Sequence, residues 1–447
     1  MKIKFLLLSV LAITLISTQV SAQNWNQIIK SCASDRAVED YFGYSVAIDG
    51  NYAVVGAYWE DHDASGANML LKAGSAYIFE FNGTSWTQVQ KIVAPDRNVD
   101  DLFGASVAIS GNYVVVGAYQ EDENASGSGT VSNSGSAYVY KNNAGTWAFQ
   151  QKICASDRFT DDFFGQSVAI DGQYIIVGAW SEDENAAGSA TLAQAGSAYV
   201  FKNTADVWTQ TQKIVASDRA AADYFGWSVA LSGNYAIIGA YAEDENAGGS
   251  GTMSEAGSAY IFLNTAGTFS QVQKIVPSDR AASDYFGYSV DIDGDYLIAG
   301  AYKEDEDASG GTSLLDPGSA YIFKNNAGTW TQLNKLVNSD RQNYDQFGLS
   351  VSISGSFAVV GANGEDHDVA GATYYSTAGS SYIYKNTSDT WSQVQKICAS
   401  DRAPSDNFGF SVGISGNHAI VGANTEDQDA NGLNIASAAG SVYFFRN

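Results

Sequence analysis

The chain has 447 residues, a net charge of −26 and a pI near 4.2, with 23 basic side chains against 49 acidic ones. A field of that sign excludes nucleic acid and anionic membrane surfaces as partners, because binding either needs clustered Lys and Arg. Its 45% hydrophobic and 13% aromatic content excludes a disordered chain.

The first elements are a short basic stretch, Met1 to Lys4, an apolar run from Phe5 to Ile16, and a small-residue ending, Ser17 to Ala22. That order is the pattern of a secretory signal peptide, with cleavage expected after Ala22. The apolar run is too short for a comfortable membrane span. The expectation is a protein secreted or displayed at a cell surface, without membrane insertion, whose working part is residues 23–447.

From Trp25 onward the sequence repeats. The Gly of a Phe-Gly pair falls at 43, 104, 165, 226, 287, 348 and 409, always 61 residues apart. A fixed period of this length marks an array of one supersecondary unit. Within the unit 86–146, Trp86 to Val93 reads as an edge strand, polar at alternate positions. A polar connection with Asp96, Arg97 and Asp101 follows, then a short apolar strand, Ser106 to Ile109. Ser110-Gly111-Asn112 is a tight turn, and Tyr113 to Ala118 is a continuous apolar strand of the kind covered on both faces. A long acidic, Gly-rich loop, Glu121 to Ser134, leads into a further strand, Gly135 to Tyr140. Four antiparallel strands per unit and seven units predict an all-β, seven-bladed β-propeller.

The last unit stops after its third strand, Gly440 to Phe445, and the missing fourth stands at the other end of the chain, Trp25 to Ile29. The N-terminal strand is therefore expected to complete the seventh blade and close the ring, which removes an open seam of unpaired backbone. Seven units of 61 residues take up essentially everything after Ala22, so a single-domain monomer is expected, with no separate catalytic domain. Cys32, Cys154 and Cys398 occupy one repeat position at which the other units carry Val, which predicts small buried hydrophobes and free thiols.

Phe-Gly, Val-Gly-Ala and Gly-Ser-Ala-Tyr-Val-Tyr together resemble the FG-GAP repeat, the blade unit of integrin α-subunit propellers. The spacing Trp-x-Gln, Lys-Ile, Ala-Ser-Asp-Arg, Asp-x-Phe-Gly-x-Ser-Val-Ala-Ile is closer still to the exported bacterial branch of that family. The resemblance implies a seven-bladed propeller used for extracellular interaction. It does not carry over the integrin calcium site. That site lies in an Asp-x-Asp-x-Asp-Gly loop between the first two strands, where this chain has only Asp49-Gly50-Asn51 or its equivalents.

Strand parity puts the connection carrying Asp35, Arg36 and Asp40 on the same face as the loop carrying Glu60 and Asp61. These four acids and one arginine recur in all seven units and account for most of the net charge. Two readings stand side by side. The acids cap turns and pair with the arginines, or the loops hold a divalent cation, calcium first, since calcium takes several oxygen ligands. The ligand set of the second reading is Glu60, Asp61 and Asp63, with Glu121, Asp122, Glu304, Asp305 and Asp307 in other units.

Positions that differ between units are where a binding site can break the symmetry. The residue after Phe-Gly is Tyr44, Ala105, Gln166, Trp227, Tyr288, Leu349 and Phe410, expected near the upper mouth of the channel. Neighbouring positions add Tyr41, Trp59, Trp180, Tyr224 and Tyr285, and the expected ligand site is Tyr44, Trp59, Trp180, Trp227, Tyr288 and Phe410. Packing between blades is the other role open to these rings. Carboxylates copied identically in seven blades argue for a structural task, and no nucleophile elbow, phosphate loop or Cys-His cluster occurs. The functional expectation is a non-catalytic binding or adhesion propeller that meets an extracellular protein or glycan through its acidic loop face. A lectin-like carbohydrate binder is the alternative, and a polysaccharide-active enzyme ranks last.

Overall fold

Apolar runs of five or six residues separated by Asp-Gly and Ser-Gly turns favour hairpins, because glycine accepts the positive φ that such turns require. The computed structural model describes residues 24–189, 191–311 and 314–447. The expected export segment, residues 1–22, lies outside the described residues. In the first blade, Ser45–Asp49, Tyr52–Ala57, Ser75–Phe81 and Trp86–Ile92 pair consecutively and antiparallel. Six further four-stranded sheets follow the same plan. The chain is a seven-bladed β-propeller.

Burial follows from the strand's place in the blade. The second strand is covered on both faces, and every residue of Tyr113–Ala118 after the first is buried. The outer strand Trp86–Ile92 buries its tryptophan and then alternates toward solvent. The seventh sheet is built from Phe408–Ser415, His418–Ala423, Ser441–Arg446 and the N-terminal strand Asn26–Ser31. Asn26 faces Arg446 and Ser31 faces Val442 in an antiparallel pair, so the two ends of the described chain lock the ring as expected.

Three devices hold neighbouring blades together. Phe103 is fully buried in a cluster that includes Val54 and Ile78 of the first blade and Val114 and Tyr138 of the second. Gly56 leaves room for the chain entering the next blade, since a Cβ there would collide with the Gly104 carbonyl. The third device is a side-chain amide acting as a strand: Gln90 Nε2 donates to the Trp147 carbonyl (2.7 Å) and Gln90 Oε1 accepts from the Trp147 amide (2.9 Å). Gln395 makes the same reciprocal pair with Trp25, at 2.8 Å in both directions, and so seals the closing seam. Between the fifth and sixth blades the position is Asn334, one methylene shorter, whose buried Oδ1 finds no partner.

The seven inner strands ring a channel of about 420 Å³. Its wall carries Ala47, Ala108, Ala169 and Ala230 in four blades, and Asp291, Ser352 and Gly413 in the other three. All three cysteines are free thiols, each within 3.3 Å of a serine hydroxyl. Among the described residues no helix is long and apolar enough to cross a membrane.

Candidate functional site

The loop face is where the acids and the non-repeated aromatics meet, and the acids come first because they set its charge. Each blade buries one glutamate completely. Glu60, Glu121, Glu182, Glu243, Glu304, Glu365 and Glu426 are all 0–1% exposed. A buried carboxylate needs hydrogen bonds and a counter-charge. One oxygen of Glu121 accepts the backbone N–H of Glu123 (2.7 Å), and the other accepts the Tyr138 hydroxyl. The counter-charge is a lysine. Lys152 Nζ lies 2.7 Å from Glu121 and 2.9 Å from Asp96, and the six equivalent lysines bridge their own glutamate and aspartate in the same way.

These lysines were the unread half of the charge pattern. Lys30, Lys91, Lys152, Lys213, Lys274, Lys335 and Lys396 recur at one repeat position near the end of the outer strand, followed by Ile in five units, by Leu336 in one and by Ser31 in the closing strand. The side chain is almost fully buried, only 3–6% exposed, so the ammonium is spent inside the blade. The arginines act differently from the carboxylate pairing anticipated for them. Arg97 Nη2 donates to the Asp61 backbone carbonyl of the preceding blade (2.7 Å), Arg158 to the Asp122 carbonyl (2.6 Å) and Arg36 to the Asp427 carbonyl. Each arginine is thus a strap between consecutive loops. In two blades it also reaches the buried glutamate: Arg341 lies 3.6 Å from Glu304 and Arg402 lies 3.2 Å from Glu365.

The remaining acids have fixed tasks. Asp40, Asp101 and their equivalents accept a backbone N–H three residues upstream at 2.5–2.7 Å and are 3% exposed. Burial, reinforced by the neighbouring glutamate in Asp101, pushes that carboxyl up to about 8 and the Asp40 carboxyl up to about 7. Of the expected ligand set, Asp61, Asp122 and Asp305 each accept a backbone N–H from eleven residues downstream, at 2.7–3.0 Å. Asp63 accepts Ser65 N–H and hydroxyl, Ala67 N–H and the Asn68 amide, and Asp307 accepts Ser309 and Gly311. The structure does bring carboxylates together, but in other groups: Asp101 with Glu121 and Glu123, and Asp279 with Glu304 and Glu306. In both groups a lysine ammonium already bridges two carboxylates of the blade.

The aromatic residues converge at the upper mouth of the channel. Tyr44 lies 5.1 Å from Phe410 of the neighbouring blade, and Trp227 lies 5.3 Å from Tyr288. Trp180 contacts Trp227 at 5.6 Å, and Trp59 packs edge-on to Tyr41 at 4.9 Å. All six expected ligand residues are therefore on this face and half-buried, in two groups rather than one even ring. With them runs a belt that the sequence comparison picked out only at Tyr41, Trp180, Tyr224 and Tyr285. It alternates the residue before Phe-Gly with the residue after Gly-Ala: Tyr119–Phe163 (5.9 Å), Phe163–Trp180 (5.2 Å), Trp180–Tyr224 (5.2 Å), Tyr224–Tyr241 (5.3 Å), Tyr241–Tyr285 (5.2 Å) and Tyr285–Tyr302 (5.7 Å). Lys72 stands 3.8 Å over Trp59, and Lys303 4.1 Å over Tyr285, each a cation–π contact. Loop tips farther out expose Met69, Leu71, Tyr374, Leu433 and Ile435.

The repeat phase agrees with a known family profile. The profile of the FG-GAP repeat matches residues 25–79, 86–140, 147–201, 208–262, 269–323, 330–384 and 391–445. Among solved structures, a putative 6-phosphogluconolactonase from Bacteroides uniformis is 14% identical with a TM-score of 0.48, over 80% of this chain and 85% of that one. Sqt1 from Saccharomyces cerevisiae is 9% identical with a TM-score of 0.47, over 95% of this chain and all of that one. No curated protein matches the chain.

Proposed function

The chain belongs to the FG-GAP repeat family, and from its loop face we propose that it is an exported, non-catalytic binding propeller that engages an extracellular protein or glycan through the aromatic mouth of its channel. One observation carries the reading. The residue before each Phe-Gly has a positive φ of 53–60° in every blade, yet it is Tyr41, Leu102, Phe163, Tyr224 and Tyr285 in five of them. A left-handed backbone costs a bulky residue roughly 1 kcal/mol or more, whereas Gly or Asn accepts it readily. The four rings among them are half-buried, and rings held there against the backbone preference serve the surface they form; Leu102 is buried. The carboxylates support the non-catalytic side of the proposal: in every blade the buried glutamate, its lysine and the capping aspartate make the same contacts, which is the behaviour of a scaffold. Calcium in the loops is the subsidiary proposal. It competes with lysines and backbone amides that already satisfy the acids.

The test uses substitutions taken from the repeat itself. Trp227→Ala and Tyr288→Leu install the residues that Ala105 and Leu349 occupy in other blades, so the fold tolerates them. Against a panel of immobilised extracellular matrix proteins and polysaccharides, the wild-type protein should give saturable binding that the double variant loses at an unchanged melting temperature. An identical binding profile for both proteins overturns the proposal.

A further inference from the structure

The outer belt at the channel mouth changes character in one place. Its two alternating positions are aromatic or leucine through the first five blades: Tyr41, Leu102, Phe163, Tyr224 and Tyr285 at one, Tyr58, Tyr119, Trp180, Tyr241 and Tyr302 at the other. In the last two blades both positions switch together, giving Gln346, Asn363, Asn407 and Asn424 as four consecutive members of the belt. Independent drift at two columns has no reason to change the same two adjacent blades. Side by side, the four amides make a polar sector closing an otherwise aromatic ring.

The sector is built but unsatisfied. Asn363 and Asn424 are 9% and 5% exposed, and the Oδ1 atom of each is buried with no hydrogen-bond partner among the described residues. Buried amide oxygens in native structures are ordinarily paired. Asn334 and Asn338 are unpaired at single positions, whereas Asn363 and Asn424 are unpaired at equivalent positions of adjacent blades, which points to a shared donor from outside the chain. Their direction follows from the repeat. Tyr58 leaves its strand to lie 4.1 Å from Tyr44, so Asn363 and Asn424 leave the equivalent points beside Leu349 and Phe410, at the mouth. Asn407 is fixed in place by its Nδ2 donating to Thr425 Oγ1 (2.8 Å), which in turn donates to the Ser405 carbonyl (2.7 Å). The belt positions of these two blades carry no formal charge, and neither do Leu349, Gly364, Phe410 and Thr425 around them.

Resting on the binding reading above, we infer that the channel mouth is a site for an uncharged saccharide, with sugar C–H faces stacked on Trp180, Trp227 and Tyr288 and sugar hydroxyls held by the amides of Asn363 and Asn424. Amides suit hydroxyls because each both donates and accepts, as a hydroxyl does. Flat aromatic faces suit the apolar side of a pyranose ring, and the four amide positions themselves hold no cation to pair with a uronic or sulfated sugar.

The experiment is affinity electrophoresis of the mature protein in gels containing soluble neutral polysaccharides (mixed-linkage β-glucan, xylan, galactomannan, pullulan), run beside polygalacturonate and heparin and followed by a neutral-glycan array. The variant is Asn363→Tyr with Asn424→Tyr, which installs the tyrosine that four other blades fold with, the fifth having Trp180. Expected is retardation by at least one neutral polysaccharide, weakened tenfold or more in the variant while its melting temperature stays within about two degrees of wild type. Binding confined to the charged polymers, equal binding by wild type and variant, or no neutral glycan bound at all overturns the saccharide site. If the saccharide arm fails while a protein ligand is lost with Trp227→Ala and Tyr288→Leu, the binding face stands and only its ligand class falls. If both arms fail, both readings fall.

Discussion

Asp101→Asn isolates one of the buried carboxyls and gives its effect a sign. Burial and the Glu121 charge raise the Asp101 carboxyl from its ordinary 3.8 to about 8 in the folded blade. Between those two values the folded protein holds a proton that the unfolded chain has released, so stability is full below about pH 4 and falls as pH rises toward 8. One proton of difference is worth about 1.4 kcal/mol per pH unit, or about 4 kcal/mol between pH 5 and pH 8. An unfolding entropy of about 2.1 cal/mol/K per residue makes that roughly 4 °C of melting temperature for a chain of this length, as a ceiling before any local relaxation.

The asparagine keeps an oxygen to accept the Asn98 N–H, now at 2.5 Å to Asp101 Oδ2, and cannot ionise. It should melt close to wild type below about pH 4 and gain on it by up to about 4 °C between pH 5 and pH 8. Asp63→Asn is the control. Hydrogen bonds from the Ser65 side chain, Ala67 and Asn68 hold that exposed carboxyl far below the usual range, so it is ionised in both states throughout the window and its removal leaves the slope alone. Differential scanning fluorimetry at half-unit intervals reads both. Parallel curves for wild type and Asp101→Asn would refute the claim that the buried aspartate is protonated at neutral pH.

Lys152→Met removes the ammonium bridging Asp96 and Glu121 and should cost about 3–5 kcal/mol by leaving buried carboxylates unopposed; a loss under 1 kcal/mol in urea denaturation would mean that the lysine is dispensable. Gln395→Ala removes both hydrogen bonds across the closing seam, about 1–2 kcal/mol, and should expose the N-terminal strand to limited proteolysis sooner than Gln151→Ala, the equivalent change inside the ring. Excess chelator should leave the melting temperature of the mature protein unchanged, because lysines and backbone N–H groups already satisfy the loop acids; a fall of several degrees would place a stabilising cation there.

The fold was legible because a 61-residue period cannot be satisfied by many architectures, and the tryptophan that opens every outer strand but one, where Phe269 stands, fixed the phase well enough to foresee ring closure by Asn26–Ser31. The site was legible only in part. Tyr44, Trp227, Tyr288 and Phe410 stood out because one column after an invariant Phe-Gly was compared across blades. Tyr41, Trp180, Tyr224 and Tyr285 were read as neighbours of that column, but their continuity as a belt was not, because its two columns lie seventeen residues apart in each unit and touch only once the second strand folds back on the first, as Tyr41 and Tyr58 do at 5.7 Å. The lysine was hidden for a similar reason. It sits at the end of an outer strand, where alternation suggests solvent, but a bulge between Phe149 and Gln151 shifts the register and sets Lys152 opposite Tyr138, buried and 5.4 Å from the ring centre. The arginine straps could not be read at all, since they run to backbone carbonyls of the preceding blade, and carbonyls leave no mark in a sequence.

That internal pairing changes what the net charge of −26 implies about recognition. Counting side chains makes the loop face look like a strong anionic field, which would favour a basic partner and steer it from a distance. The structure spends much of that charge inside the blades: seven glutamates are buried against seven lysines, and the capping aspartates are raised toward neutrality. What the mouth offers a ligand is aromatic surface and amides. Binding there should therefore respond weakly to salt, by less than about threefold between 50 and 500 mM NaCl, because screening acts on exposed charges and leaves buried pairs largely alone. A basic protein held by the acidic rim would instead lose affinity by more than tenfold over the same range. That single titration distinguishes recognition by the mouth from recognition by the rim.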